Sequence, residues 1–224
     1  MAQELGIVVP PIRIRDNLQL PANTYRVLLR GEEIARGDLV PGLFLAMNPG
    51  TATEEIQGQP TTEPAFGLPA YWIPDAQRDR AQLLGYTVVD GPTVLTTHLS
   101  ELVKQQAPEL LGRPEVQQLL DTLKEQSPRL VEELVPSVVP VGSLQRVLQN
   151  LLRERVSIRD LGRILEATAE AATLTRDPVL LTEYVRQHLG RTLTAPHLSE
   201  QNELGVLVLD PTLEQTLQGG IESS

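Results

Sequence analysis

The chain has no cysteine, only two phenylalanines and one tryptophan, and aromatic residues at just 3% of its 224 positions. Without cysteine there is no disulfide framework and no thiolate metal site, and the composition suits a reducing compartment such as the cytoplasm. With so few aromatics, a core has to be built from Leu, Val, Ile and Ala; hydrophobic residues at 41% are enough for one large domain or several small ones. Positive charge is also short, since 19 Lys and Arg face 29 Asp and Glu for a net charge of -10. Nucleic acid and anionic lipid both need a basic surface, so neither is an expected partner. No apolar run approaches the roughly 20 residues of a membrane-spanning helix, and the longest, such as Gly205 to Leu209, are strand-sized. Met1 to Leu5 lacks the basic and apolar regions of a signal peptide, so the chain as it stands is expected to be soluble.

Catalytic patterns are missing too. There is no Walker-type or dinucleotide-binding glycine loop, and neither Ser100 nor Ser143 sits in a nucleophile elbow. His98, His188 and His197 lie far apart, with no carboxylate or second histidine at ligand spacing, so no metal site and no cofactor is expected. His98 falls on the apolar side of its helix and reads as structural, and the other two read as surface. The acid pairs Glu32-Glu33, Glu54-Glu55 and Glu132-Glu133 point in divergent directions and read as solvated surface, unlike the facing carboxyls of a glycosidase. Arg153, Arg155, Arg159 and Arg163 form a basic face, read either as pairing within helices to Glu154, Asp160 and Glu166 or as an intersubunit or partner contact. No enzyme is expected.

What is present falls into two halves. Up to residue 90 the chain reads as strands and turns. Ile12 to Arg15 alternates like a half-buried strand, Tyr25–Arg30 and Glu33–Arg36 flank Gly31 as a hairpin, and Leu43–Met47 is a strand ending at the Asn48-Pro49-Gly50 turn. Residues 51–62 read as loop, Tyr71–Ile73 as strand, Asp75 as the cap of a helix over Ala76–Leu84, and Tyr86–Val89 as strand. From Asp90-Gly91-Pro92 onward the period is helical. Helices are predicted from Asp90, over Glu115–Glu125, Pro128–Leu134 and Ser143–Arg155, after a capping box Ser157–Asp160, and after Asp177-Pro178. Leu204–Leu209 reads as a strand, Thr212–Leu217 as a helix stub, and Gly219–Ser224 as a frayed tail.

One segment stands apart. Glu63-Pro-Ala-Phe-Gly-Leu-Pro-Ala-Tyr-Trp-Ile-Pro74 sets Phe66 and the sole tryptophan, Trp72, among three prolines and carries no reactive group. A rigid aromatic segment of this kind suits docking better than turnover, although proline-bounded aromatics also serve as core plugs.

Taken in order along the chain, Pro10-Pro-Ile-Arg-Ile-Arg-Asp-Asn17, Gly37-Asp-Leu-Val-Pro-Gly42, Glu63-Pro-Ala-Phe-Gly-Leu-Pro-Ala70, Gly85-Tyr-Thr-Val-Val-Asp90, Thr97-His-Leu99, Leu111-Gly-Arg113, Gln117-Gln-Leu-Leu-Asp121, Leu148-Gln-Asn-Leu-Leu152 and Ile158-Arg-Asp-Leu161 form a set. This set resembles the FHIPEP family, the export gate proteins of flagella and type III secretion injectisomes, and its flavour is flagellar. The resemblance implies a membrane-embedded N-terminal half, absent here, followed by four cytoplasmic subdomains. Against that pattern the chain is expected to lack the first strand and helix of the first subdomain, with Met1–Leu5 as the end of that helix, and to stop early in the fourth.

The implied fold is α+β and multi-subdomain. A small α/β subdomain (1–41 and 91–110) carries an inserted α/β subdomain (42–90), followed by an all-α subdomain (111–190) and the start of a further α/β subdomain (191–224). The implied function is that of the cytoplasmic part of the flagellar type III protein export gate, docking chaperone–substrate complexes and ordering export. The alternative is a structural ring component, or an injectisome-type gate fragment, without its own docking activity. Implied partners are export chaperone–substrate complexes, the gate partner, the ATPase stalk and further copies of the chain in a nine-membered ring. The implied place is the cytoplasmic side of the bacterial inner membrane. The docking residues implied by motif match are Pro49, Glu63, Phe66, Val89, Val94 and Thr97. Phe66 is expected at the floor of a depression between two Val walls, Glu63 at its rim selecting basic or hydrogen-bonding partners, and Trp72 as a packing residue.

Overall fold

Two residues with positive φ, Arg30 at 52° and Gly31 at 94°, turn the chain between β1 (Thr24–Leu29) and β2 (Glu32–Asp38). Positive φ at both loop positions is the backbone of a tight hairpin turn whose twist matches that of its strands, and glycine takes it without strain. The predicted hairpin is therefore present. The preceding stretch is not a strand: residues 8–17 have no regular structure, Ile14 is 91% exposed and Leu18 fully exposed. Alternation makes a strand only where another strand offers its edge, and β1 takes its one ladder from β2. The structure, a computed structural model, describes residues 5–222. The expected helix end at Met1–Leu5 thus falls almost wholly outside the described residues.

A four-stranded antiparallel sheet follows, in the order β4 (Gln59–Thr62), β5 (Pro69–Pro74), β3 (Leu43–Met47), β6 (Thr87–Asp90). Leu45 faces Trp72 on one side and Val89 on the other, and Met47 faces Ala70 and Thr87. Because side chains alternate across a strand, these rows make one face and Phe44, Ala46, Tyr71, Ile73 and Val88 make the other. Each face has its own small core. The first packs on Val94 of helix α2 (Gly91–Gln105), and the second on Ala81 of α1 (Arg78–Leu83) together with Tyr86. β4 lies inside the segment read as loop. Its Gln-Pro-Thr-Thr sequence has no apolar face because it is an edge strand, where polar side chains and proline are tolerated. Asp75 does not cap α1; it lies in a short 3-10 turn (Asp75–Gln77) and its carboxylate sits 3.6 Å from Arg78. Asp90 does cap α2 as expected, its carboxylate accepting from the Thr93 amide at 2.9 Å.

The helical half comprises α3 (Ala107–Leu110), α4 (Arg113–Gln126), α5 (Pro128–Leu134), α6 (Val141–Arg153), α7 (Leu161–Ala171), α8 (Pro178–His188) and α9 (Gly190–Thr194). Leu144, Val147, Leu148, Leu151 and Leu152 form the buried stripe of α6, as their spacing predicts. Around it lie Val116 and Leu120 of α4, Ile164 and Leu165 of α7, and Leu181 and Val185 of α8. The cap of α7 is Asp160 rather than Ser157: the Asp160 carboxylate accepts from the Arg163 amide at 3.3 Å, three residues later than the box predicts.

Among the described residues no ion pair joins the Arg face to acids of its own helices, and the Arg153 guanidinium donates to Asn150 one turn earlier in α6. Arg155 reaches Glu101 of α2 at 3.5 Å, and Glu154 pairs with Arg186 of α8 at 2.7 Å. Leu204–Leu209 is no strand either. It makes a single bridge, Leu204 to Leu198, and Leu207 is fully exposed, since no strand among the described residues lies alongside it. The helix stub is longer than expected: α10 spans Pro211–Glu222 and includes part of the stretch read as a frayed tail, while Ser223 and Ser224 lie outside the described residues.

Candidate docking site

The Glu63–Leu68 turn is closed by its own carboxylate. Glu63 is 2% exposed, and its two side-chain oxygens accept from the amides of Ala65 at 2.9 Å and Phe66 at 2.6 Å. The Glu63 amide donates to the Leu68 carbonyl at 2.8 Å, and the Gly67 amide to the Glu63 carbonyl at 3.0 Å. A buried carboxylate is tolerated only when its lone pairs are filled, and here they are filled locally. The turn therefore holds Phe66 outward, 61% exposed.

Beside Phe66 lies a shallow depression of about 190 Å³ lined by Met47, Pro49, Glu63, Leu68, Thr87, Val89, Val94 and Thr97 along with Phe66 itself. All six residues named from sequence thus gather around one surface feature. Met47, Thr87 and Val89 come from the first face of the sheet, Val94 and Thr97 from the first turns of α2, and Phe66 and Leu68 from the turn.

Two expectations change. Phe66 is not the floor: buried Val94 and half-buried Val89 make the base, and Phe66 stands at the edge. Nor is Glu63 a rim charge offered to partners, because its carboxylate is spent on two amides of its own turn. Met47, Leu68 and Thr87 were not anticipated. Met47 and Thr87 lie two positions from Leu45 and Val89, so the strand period places them on the same face.

The depression is smaller than the roughly 300–1,000 Å³ of small-molecule sites, and it is almost wholly apolar. It has room for an apolar anchor side chain, and the carboxylate among its lining residues, Glu63, is bound to its own turn. A second, polar cleft of about 460 Å³ lies between the hairpin and the helical half. Two of its side chains are engaged: the Arg30 guanidinium donates to the Glu109 carbonyl at 2.8 Å, and Gln149 donates to the carbonyls of Pro108 and Leu111. Among the described residues no three His, Cys, Asp or Glu side chains gather to hold a metal.

Behind the depression, His98 is buried and shares a 2.6 Å hydrogen bond between Nδ1 and the Tyr25 hydroxyl, with the rings edge to face at 5.8 Å. Burial holds the His98 imidazole below its ordinary titration range, and the Glu63 carboxylate pulls the other way. Burial, with the Glu63 and Asp38 charges, pushes the Tyr25 phenol up to about 12. As pH falls, the unfolded chain takes up the histidine proton first, near 6.5. His98 therefore adds stability that is fully present above about pH 6.5 and lost as the pH drops from there toward its lower folded value. Urea unfolding at about pH 7.5 and about pH 5.5 checks this. His98→Asn is expected to narrow the gap between the two midpoints, and an unchanged gap places the acid sensitivity elsewhere.

Comparison with known proteins bears on the family. The FHIPEP family profile matches residues 1–224. The chain is 49% identical over 223 residues to the flagellar biosynthesis protein FlhA of Escherichia coli, covering 98% of this chain and 32% of that protein. It is 46% identical over 224 residues to FlhA of Bacillus subtilis, covering 100% of this chain and 33% of that protein. The chain thus spans about a third of the length of the curated relatives it matches. Among solved structures, the Chlamydia pneumoniae CdsV protein is 28% identical with a TM-score of 0.81, over 97% of this chain and 63% of that one. Nonameric EPEC SctV-C, 23% identical over 99% of this chain and 74% of that one, shares the fold with a TM-score of 0.67. By profile, by sequence and by fold, the chain belongs to the FHIPEP family.

Proposed function

We propose that this chain is the docking part of a flagellar type III protein export gate, and that chaperone–cargo complexes seat an apolar anchor in the Phe66 depression. The observation that carries this reading is an aromatic side chain held outward, 61% exposed, by a turn whose carboxylate is buried beneath it. Phe66 stands beside an apolar depression, and an exposed aromatic next to an apolar concavity is the arrangement of an interface anchor. An amphipathic helix or an extended segment presenting one apolar anchor fits the depression's size. The role is binding, not catalysis. Working beside the membrane-embedded part of the gate would place the chain on the cytoplasmic side of the inner membrane; among the described residues no helix is long and apolar enough to cross it.

The nonameric state of two structural relatives supports a nine-membered ring for this chain, and the CdsV–CdsO complex supports contact with a second protein. The subdomain division at 41/42, 90/91, 110/111 and 190/191 belongs to this proposal. Calorimetry of Phe66→Ala against a flagellar chaperone–cargo complex tests the docking role. Truncating this exposed aromatic is expected to weaken binding about 30-fold, roughly 2 kcal/mol. Phe66 is mostly in solvent, so the thermal midpoint stays put. Unchanged affinity removes Phe66 from the site and favours the purely structural ring component.

A further inference from the structure

Two arginines stand where the backbone favours glycine. Among the described residues four that are not glycine have positive φ, and two of them, Asn23 and Asn202, are of a type that tolerates it. The others are Arg30 at 52° and Arg155 at 60°. Arg30 opens the two-residue turn of the hairpin, a position that Asn, Asp and Gly fill with least strain. Arg155 lies two residues past the end of α6. There its amide donates to the Leu152 carbonyl at 3.0 Å, and the Val156 amide donates to the Leu151 carbonyl at 2.9 Å. That pair of bonds is the helix ending that ordinarily takes glycine. An arginine at either position carries backbone strain that glycine avoids.

Each guanidinium crosses the junction between the halves, and the two cross in opposite directions. From the sheet half, Arg30 donates to the Glu109 carbonyl of α3 at 2.8 Å, 79 residues along the chain. From the helical half, Arg155 reaches Glu101 of α2 at 3.5 Å, 54 residues away. Glu101 is buried, and its second cation, Lys104 at 3.7 Å, lies on the same helix. Arg155 is therefore the cation that ties this carboxylate to the other half. The chain itself joins the halves twice, through residues 10–23, which form no strand or helix, and at Gln106 between α2 and α3. Val103 of α2 packs on the helical core, but the buried clusters of the two halves share no residue. Domains joined without a large apolar interface move relative to each other unless specific contacts stop them.

We propose that Arg30 and Arg155 are reciprocal clamps that set the angle between the sheet half and the helical half. With both engaged the halves move as one body; with either released they swing about the α2–α3 turn at Gln106. Strain at positions 30 and 155 then has a physical reason, since an arginine in either turn reaches the opposite half and a glycine reaches nothing. The clamps act whether or not the depression takes a chaperone. Where it does, they hold the seated partner at a fixed angle to the helical half.

Because the chain has no cysteine, two introduced ones take spin labels without competition. Leu83→Cys on α1 and Leu174→Cys beyond α7, both exposed, put one label on each half of the whole chain. Double electron–electron resonance on this labelled background is expected to give one narrow distance distribution. Arg30→Gly and Arg155→Gly are each expected to broaden it about twofold, because a released junction samples a range of angles. Arg30→Asn and Arg155→Asn suit the same backbone and are too short to cross, so they give a second pair of variants with the same expected broadening if a glycine variant fails to fold. A purely stabilising role for the arginines would lower the far-ultraviolet melting midpoint and leave the width alone. An unchanged width when either arginine is replaced, at whatever midpoint, therefore overturns the proposal.

Discussion

Replacing Trp72 with alanine lowers the unfolding free energy by about 3–5 kcal/mol. The indole is 3% exposed on β5, opposite Leu45 in the central strand and Gln59 in the edge strand. With Leu45, Ala70 and Val94 it makes the small core that joins the sheet to α2. A core of four buried residues cannot close over the loss of its largest member, so the cavity term adds to the lost transfer energy. The site sits on the same structure, since Val89 and Met47 pack on this cluster and also line the depression. Thermal unfolding followed by circular dichroism should show a midpoint lowered by about 2–4 °C per kcal/mol for a chain of this length. A loss under about 1 kcal/mol would mean that the ring is not a packing residue. The comparison with Phe66→Ala is informative: these aromatics lie six residues apart in one proline-rich segment, and one is expected to matter for stability and the other for binding.

The helical half was legible because its signals are local. The stripe Leu144, Val147, Leu148, Leu151 and Leu152 repeats at helical spacing, and Asp90 and Asp177 cap helices where an acid precedes Gly-Pro or Pro. The Ser157 box misled because two acceptors, Ser157 and Asp160, stand three residues apart and either could begin a helix. Strands were legible only where a partner existed. Ile12–Arg15 and Leu204–Leu209 have strand composition and no neighbouring edge among the described residues, whereas the polar Gln59–Thr62 has an edge and becomes a strand. The six docking residues were named through family resemblance, and no periodicity links Pro49 to Thr97. What resemblance did not disclose was direction. Whether Glu63 faces solvent or its own turn depends on amides two and three residues ahead, and the Tyr25–His98 pair depends on a fold that brings together residues 73 apart.

Replacing Leu148 with aspartate should unfold the helical half and leave the sheet half standing. Leu148 is fully buried in the largest core, and an isolated carboxylate there has no polar partner, a change that costs more than about 4 kcal/mol. That core runs from Ile7 to Leu189 and shares no buried residue with the two clusters that flank the sheet. Polar contacts join the halves, and Val103 of α2 also packs on the helical core. Arg155 meets Glu101 at 3.5 Å with the arginine 69% exposed, and Arg30 donates to the Glu109 carbonyl at 2.8 Å. The Arg155 end of that pair is solvent-screened while Glu101 is buried, so the coupling between the two cores is modest rather than absent. The hairpin, sheet and α2 together make about 80 residues, small but within the range that folds alone. Because the sole tryptophan lies in the sheet half, it reports on that half separately. The expected result is loss of most of the far-ultraviolet helical signal, with the near-ultraviolet band and buried emission of Trp72 retained at a lower melting temperature. If both signals vanish in one transition, the sheet half depends on the helical half for its fold. The docking depression would then be a property of the whole chain.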